Sequence, residues 1–177
     1  MPFTPYHFGP SACLGLPLKK RIDIPVFVLV NVVVDFEPLA VMLFDLDYPL
    51  HGFFHTFLFG GLLGLICGIL AYPAKNFFKR WMQLFRLPYQ TSIIKMIVSG
   101  ILGVWFHILL DGVLYGEMHP FWPIAFNPLH RIISYSSLFS LCEIACIAAI
   151  VIYPARAYFI YRKKSPETIT EKIHKQE

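Results

Sequence analysis

The chain is poor in charged residues, and this scarcity excludes an ordinary soluble domain. Lys, Arg, Asp and Glu make up 15% of its 177 residues, whereas soluble domains carry about 25%. Hydrophobic residues make up 56%, and the mean hydropathy is +0.59. The composition therefore predicts an all-α, polytopic membrane bundle without a separate soluble domain.

Cysteine is also scarce, and its spacing does not indicate a cysteine-based site. The chain lacks a C-x-x-C pattern, which is typical of redox centres and zinc fingers. No basic residue precedes Lys19, so a cleaved signal peptide is not expected. Internal repeats and low-complexity tracts are absent as well. All four cysteines lie in apolar stretches, which favours a packing role: Cys13, Cys67, Cys142 and Cys146.

Apolar runs predict about five membrane-embedded helices, of which the first two are short. Each of those two holds only about 12 apolar residues, which reach about 18 Å and form a hairpin. Pro38 is expected to interrupt helix at Glu37, because the residue before a proline disfavours that conformation. Residues 1–155 form the membrane domain and residues 156–177 a charged cytoplasmic tail. The helices are expected near 5–18, 23–34, 52–72, 91–114 and 132–153.

Positive charge is concentrated in three clusters, at residues 19–21, 75–86 and 156–164. Basic residues that flank membrane spans favour the cytoplasm, so all three clusters are expected there. This arrangement predicts an integral cell membrane protein with its N-terminus outside and its C-terminus inside. The clusters orient the chain and do not indicate nucleic acid. Aromatic residues within the second cluster indicate an interfacial amphipathic helix.

His107 and Asp111 stand out within an otherwise apolar run. They are four residues apart, so they share one face of a helix. Placing an ionisable residue inside a membrane segment costs free energy, so such a residue is expected to have a function. A neutral imidazole and a carboxylate are also good metal ligands. The alternative is a buried histidine that Asp111 merely orients.

Further ionisable residues fall at a similar depth when about 1.5 Å per residue is counted from the cytoplasmic side. The set contains three histidines and three carboxylates, a ligand chemistry suited to one or two Zn²⁺ or Mn²⁺ ions. Scattered polar residues would not be expected to agree in this way. The six residues lie about 18–26 Å from that side: His7, Asp35, His55, His107, Asp111 and Glu143.

Several candidates keep alternative explanations. Glu37 precedes a proline and could simply mark a bend of the chain, while Glu143 could be a protonated hydrogen-bond donor between helices. His51 and His55 form an i, i+4 pair if their helix begins early enough, and His55 is the stronger candidate. His119 could reach the site from the outer loop, but it is not included. The predicted metal ligands are His7, Asp35, His51, His55, His107 and Asp111.

The order of these residues carries a resemblance to a known family. His7 is followed by D-x-E at residues 35–37, G-F-F-H-T at 52–56, H-x-x-x-D at 107–111 and Trp-Pro at 122–123. This order resembles the YdjM-like family of inner-membrane metal-dependent hydrolases over roughly residues 5–123. The ligand order is also similar, more loosely, to that of zinc-dependent phospholipase C and single-strand nucleases.

The resemblance implies a hydrolase in which His55 directly matches a family ligand. The family's common motif, H-R-G-x-T-H-S, has an arginine before its glycine, whereas this chain has His51 there and Leu50 before it. His51 is therefore either a substitute ligand shifted by one residue or no ligand at all. Recognition of a phosphate by an arginine at that position is not expected.

Together, these observations predict a membrane-embedded metal-dependent hydrolase. A free carboxylate, Glu37 or Glu143, would be the general base. A site near the outer headgroups favours a phosphoester of a lipid or lipid-linked substrate. The main alternative is a metal or proton transporter that uses the same intramembrane residues. A haem carrier would need histidines facing each other across two helices, and neighbouring aspartates would be unusual beside a haem.

Overall fold

The structure is a computed structural model that describes the backbone of residues 7–174 and the side chains of residues 7–160. The regular structure of this part is helical throughout, which confirms the predicted all-α class. Two 3-10 turns, Phe53–His55 and Tyr72–Ala74, precede α4 and α5. The α-helices are α1 (Phe8–Leu18), α2 (Ile24–Val34), α3 (Phe36–Leu43), α4 (Phe57–Ala71), α5 (Lys75–Leu84), α6 (Ile93–Leu114) and α7 (Tyr135–His174).

Four helical segments in the described residues are long and apolar enough to cross a membrane. They are Ile24–Leu43, Phe57–Leu84, Ile93–Leu114 and Tyr135–Ile160. The first of these combines α2 with α3, and the second combines α4 with α5. Helix α1 is apolar but shorter, with 11 residues. These lengths confirm that the chain is a helical membrane protein.

The helix that follows α2 differs from the expected one. The sequence predicts that Pro38 prevents helix at Glu37, but α3 runs from Phe36 to Leu43. Asp35 ends α2 and begins α3, so Pro38 falls in the first turn of a new helix. Proline is tolerated there because the first amides of a helix have no partner within it. As a result, α2 is short but the span continues past it.

Helix α7 also passes the predicted domain boundary. The sequence places the end of the last helix near residue 153 and begins a charged tail at 156. The backbone instead remains helical from Tyr135 to His174. The helix therefore continues through the predicted boundary between the membrane domain and the tail. The side chains of residues 161–177, which include most of the predicted tail, lie outside the described part of the structure.

Helix α6 lies at the centre of the bundle, where it packs against both α4 and α2. Helix α1 in turn packs against α2 and α7. The contact of α4 with α6 is close because Gly64 and Gly100 face each other across it. A Cβ atom built on Gly64 would lie 2.5 Å from the backbone oxygen of Gly100. Small residues let helix backbones approach in this way, as expected in membranes.

A buried carboxylate fixes the start of α2 at the end of the bundle where α6 also begins. Asp23 caps α2 by accepting a hydrogen bond from the backbone amide of Val26 at 3.2 Å. The hydroxyls of Tyr89 and Thr91 also donate to Asp23, at 2.7 and 2.5 Å. Its own backbone amide donates to Ser99 of α6 at 2.6 Å. These bonds hold α2 and α6 in register.

Candidate metal centre

Asp35 lies at the joint between α2 and α3, in the middle of the apolar segment Ile24–Leu43. Its backbone amide donates to the oxygen of Val33, and its backbone oxygen accepts from Leu39, so both helices are anchored at this residue. Its side chain is only 5% exposed although the neighbouring Phe36 is 55% exposed. The joint therefore aims one carboxylate into the bundle while the apolar neighbour faces outward.

His107 and Asp111 lie one turn apart on α6, and both are buried. The Nε2 atom of His107 lies 3.1 Å from Oδ2 of Asp111 and 3.5 Å from Oδ1 of Asp35. The predicted sharing of one helix face is thus observed. Because α2 packs directly on α6, the carboxylate at the α2–α3 joint reaches the same point.

His55 reaches the site from the turn just before α4, the helix that packs on α6 together with α2. It is fully buried and ends the 3-10 turn Phe53–His55, and Thr56 then caps α4 by accepting from the amide of Phe59. Helix α4 begins only at Phe57, so the condition under which His51 and His55 would form an i, i+4 pair on one helix is not met. Gly52 precedes this turn at a position where a Cβ atom would collide with the ring of Tyr48. The turn leaves the imidazole of His55 facing α6.

Four side chains together form what we call the central cluster. Each can offer one nitrogen or carboxylate oxygen, and these four atoms lie within 4.8 Å of one another. His7 adjoins the cluster, with Nε2 3.0 Å from Oδ1 of Asp111 and its ring centroid 4.3 Å from that of His107. The central cluster consists of Asp35, His55, His107 and Asp111.

The buried nitrogen and oxygen atoms of the central cluster are suited to binding a cation. The Nε2 atom of His55 is buried without a hydrogen-bond partner in the described structure, and Nε2 of His107 faces only the carboxylates of Asp111 and Asp35. Such atoms are costly unless another group occupies their lone pairs. In the described residues, the ion pairs of Asp35 and Asp111 involve only histidines and no Lys or Arg. Two carboxylates and two imidazoles form a ligand set suited to Zn²⁺ or Mn²⁺.

Glu37 is placed beside His55 and not as a free carboxylate within the cluster. Its Oε2 atom lies 2.8 Å from Nδ1 of His55. Its Oε1 atom accepts from the backbone amide of Phe54 at 3.3 Å and from the Tyr48 hydroxyl at 3.4 Å. Carboxylates often fix a metal-binding histidine through its other ring nitrogen. The contact of Glu37 with His55 has this geometry, and the assignment of Glu37 as general base stays a prediction.

His51 lies next to the central cluster, between His55 and the loop that contains Glu117. It is buried, its ring centroid lies 4.9 Å from that of His55, and the Tyr115 ring lies 4.2 Å away at a tilt of 31°. Its Nδ1 atom lies 3.1 Å from Oε1 of Glu117, whose side chain is 57% exposed. Burial, together with the neighbouring His55, lowers the pKa of His51. The structure therefore places His51 next to the cluster but outside the group of four.

The other site residues considered from the sequence lie away from the central cluster. Glu143, the second predicted general base, is exposed on α7, because the face of that helix next to α1 instead presents the buried Cys142. His119 is exposed as well. Glu117 was not anticipated, because it lies in a polar loop and no regular spacing connects it with His51.

Comparison of the chain with protein-family models, with curated proteins and with solved structures gives no match. The resemblance to the YdjM-like family therefore stays a prediction from the motifs.

Proposed function

We propose that the chain is a membrane-embedded metal-dependent hydrolase that acts on a phosphoester of a lipid or lipid-linked substrate. The observation that supports it most is the central cluster, in which Asp35, His55, His107 and Asp111 converge from three parts of the chain. Such a group is costly to bury in a membrane unless it has a function. The order of its motifs adds support through the family resemblance.

The carboxylates and the imidazoles of the central cluster would make different contributions to binding a cation. Asp35 and Asp111 would supply negative charge, while His55 and His107 would bind as neutral imidazoles through Nε2. With Glu37 accepting from the Nδ1–H group of His55, the lone pair of His55 Nε2 faces the cluster. A divalent ion held there would supply Lewis-acid chemistry, by polarising a phosphoryl oxygen and lowering the pKa of a water toward about 7.

The surroundings of the site support a lipid substrate. Phe53 and Phe54 immediately precede His55 in the same turn, and they are 47% and 44% exposed. The ring of Phe53 lies 5.9 Å from that of Trp122, which is 42% exposed. Exposed aromatic residues at the end of a span are typical of the membrane interface, where lipid headgroups lie.

The replacement Asp35→Asn tests this proposal, because it nearly preserves volume and removes a charge. A neutral amide is a poor substitute for a carboxylate at a divalent cation. Bound metal should fall and phosphoesterase activity on phospholipid vesicles should vanish, while the protein still inserts and stays folded in detergent. Glu143→Gln, an equivalent change at an exposed carboxylate, should alter neither.

Two results would contradict the proposal. Retained metal and activity in Asp35→Asn would remove Asp35 from the site. A wild-type protein that binds metal, hydrolyses no phosphoester and carries the ion across liposome membranes would favour the transporter instead.

A further inference from the structure

A second polar site lies at the opposite end of the bundle from the central cluster. A cavity of about 580 Å³ opens where the α1–α2 turn meets the start of α6. Lys95 and Asp111 are 16 residues apart along α6, or about 24 Å. The cavity is thus remote from the cluster. Its polar lining residues are Lys19, Lys20, Gln90, Thr91, Ser92 and Lys95.

The lining of this cavity carries positive charge without a free carboxylate. Three of the lining residues are lysines and none is acidic. Asp23 lies behind Thr91, but it is 1% exposed and accepts from Thr91 and Tyr89. Burial, followed by the positive charges of Arg156 and Lys20, lowers the pKa of Lys19. The cavity is therefore an environment in which an anion would be stabilised.

Hydrogen bonds within the protein hold the lining of the cavity in place. The Nζ atom of Lys95 donates to the backbone oxygens of Lys19 at 3.0 Å and Gln90 at 2.8 Å. Lys95 thus joins the α1–α2 turn to the loop before α6. Ser92 caps α6 through the amide of Lys95 at 3.2 Å. The first amides of α6 have no partner within the helix, and the helix dipole adds positive potential there.

We propose that this cavity binds the phosphate group of an anionic membrane lipid. A free phosphate would offer the same charge and acceptor oxygens. The location favours the lipid, because the cavity lies at the ends of apolar helices α1, α2 and α6, where headgroups are found. Basic pockets between membrane helices are known to hold anionic headgroups in this way. This inference does not depend on the proposed hydrolase activity.

The test uses the full chain in detergent, titrated with phosphatidylglycerol or phosphatidylcholine and observed by native mass spectrometry. The double variant Lys19→Gln/Lys20→Gln removes two charges from the lining and keeps Lys95, whose hydrogen bonds hold the cavity together. The matched control, Lys79→Gln/Arg80→Gln, removes two exposed charges from α5. Thermal unfolding in detergent serves as an independent check that the double variant is folded.

Wild-type protein should bind phosphatidylglycerol more tightly than phosphatidylcholine. The double variant should lose about tenfold or more in affinity for phosphatidylglycerol, because each basic residue near an anionic surface contributes substantially. The control should retain wild-type affinity. Equal affinity for the two lipids, or equal loss in both variants, would overturn the proposal. Displacement of phosphatidylglycerol by an equal concentration of inorganic phosphate would overturn the lipid assignment in favour of a free anion.

Discussion

Glu37 and His55 form a short hydrogen bond at the site, 2.8 Å between Oε2 and Nδ1. This contact distinguishes two roles for Glu37. A general base needs a carboxylate that reaches the reacting water, whereas an orienting carboxylate acts through the histidine. The two further bonds that Glu37 accepts, from Phe54 and Tyr48, fix it in the orienting position.

We predict that Glu37→Gln weakens metal binding about 10- to 100-fold, because an orienting partner of a ligand is lost. The measurement is a metal titration of the purified variant, with Glu117→Gln as a control on a partly exposed carboxylate that pairs with His51 instead. Thermal unfolding without metal checks that the fold is unchanged. Unaltered metal affinity together with lost hydrolysis would identify Glu37 as the base instead.

The residues brought together at the site were predictable to the extent that they lie on regular helices. His107 and Asp111 share a face because of their spacing, and counting along the chain placed His7 and Asp35 at a similar depth. The pairs Glu37–His55 and His51–Glu117 were not predictable, because each pair includes a residue of a turn or loop that contacts a distant part of the chain. No sequence period connects residues in such loops.

At the scale of the helices, the joint at Asp35 determines where the site lies. A continuous helix through this position would keep the carboxylate on the regular face of α2. The break instead begins α3 with Glu37 in its first turn, beside His55. The sequence predicts that Pro38 ends a helix, although proline also suits the first turn of a new one. The amphipathic α5 and the apolar runs were simpler to predict, because their periodicity is local.

We predict that Gly100→Ala destabilises the bundle by about 1–3 kcal/mol, the usual range for overpacking. A Cβ atom at Gly100 would collide with the backbone oxygen of Gly64, which has no flexible end that could move aside. Thermal unfolding in detergent measures the effect. Val98→Ala, a change at a 40% exposed position of the same helix, is the control. Equal stability of both variants would contradict the close α4–α6 contact.

At the scale of the whole molecule, two of the basic clusters and the start of α6 meet at one end of the bundle. Lys95 donates to the backbone oxygen of Lys19, and Arg156 is close enough to Lys19 to affect its pKa. The central cluster lies toward the other end of α6. This arrangement supports the proposed orientation, in which the basic end faces the cytoplasm.

We predict that a reporter fused after Arg80 or at Glu177 reads as cytoplasmic, because basic residues flank both positions. A reporter in the loop at residues 116–121 should read as external. Activity of paired alkaline phosphatase and fluorescent protein fusions measures this. An external reading after Arg80 would remove the argument that the site opens to the outer headgroups.

The central claim is that the buried cluster of Asp35, His55, His107 and Asp111 holds a divalent cation. Elemental analysis of the full chain, purified without chelators, tests it most directly. The expected result is about one or two ions of zinc or manganese per chain. His107→Ala should lose them, whereas the exposed His119→Ala should keep them. A wild-type protein that remains free of both metals after incubation with each would contradict the account.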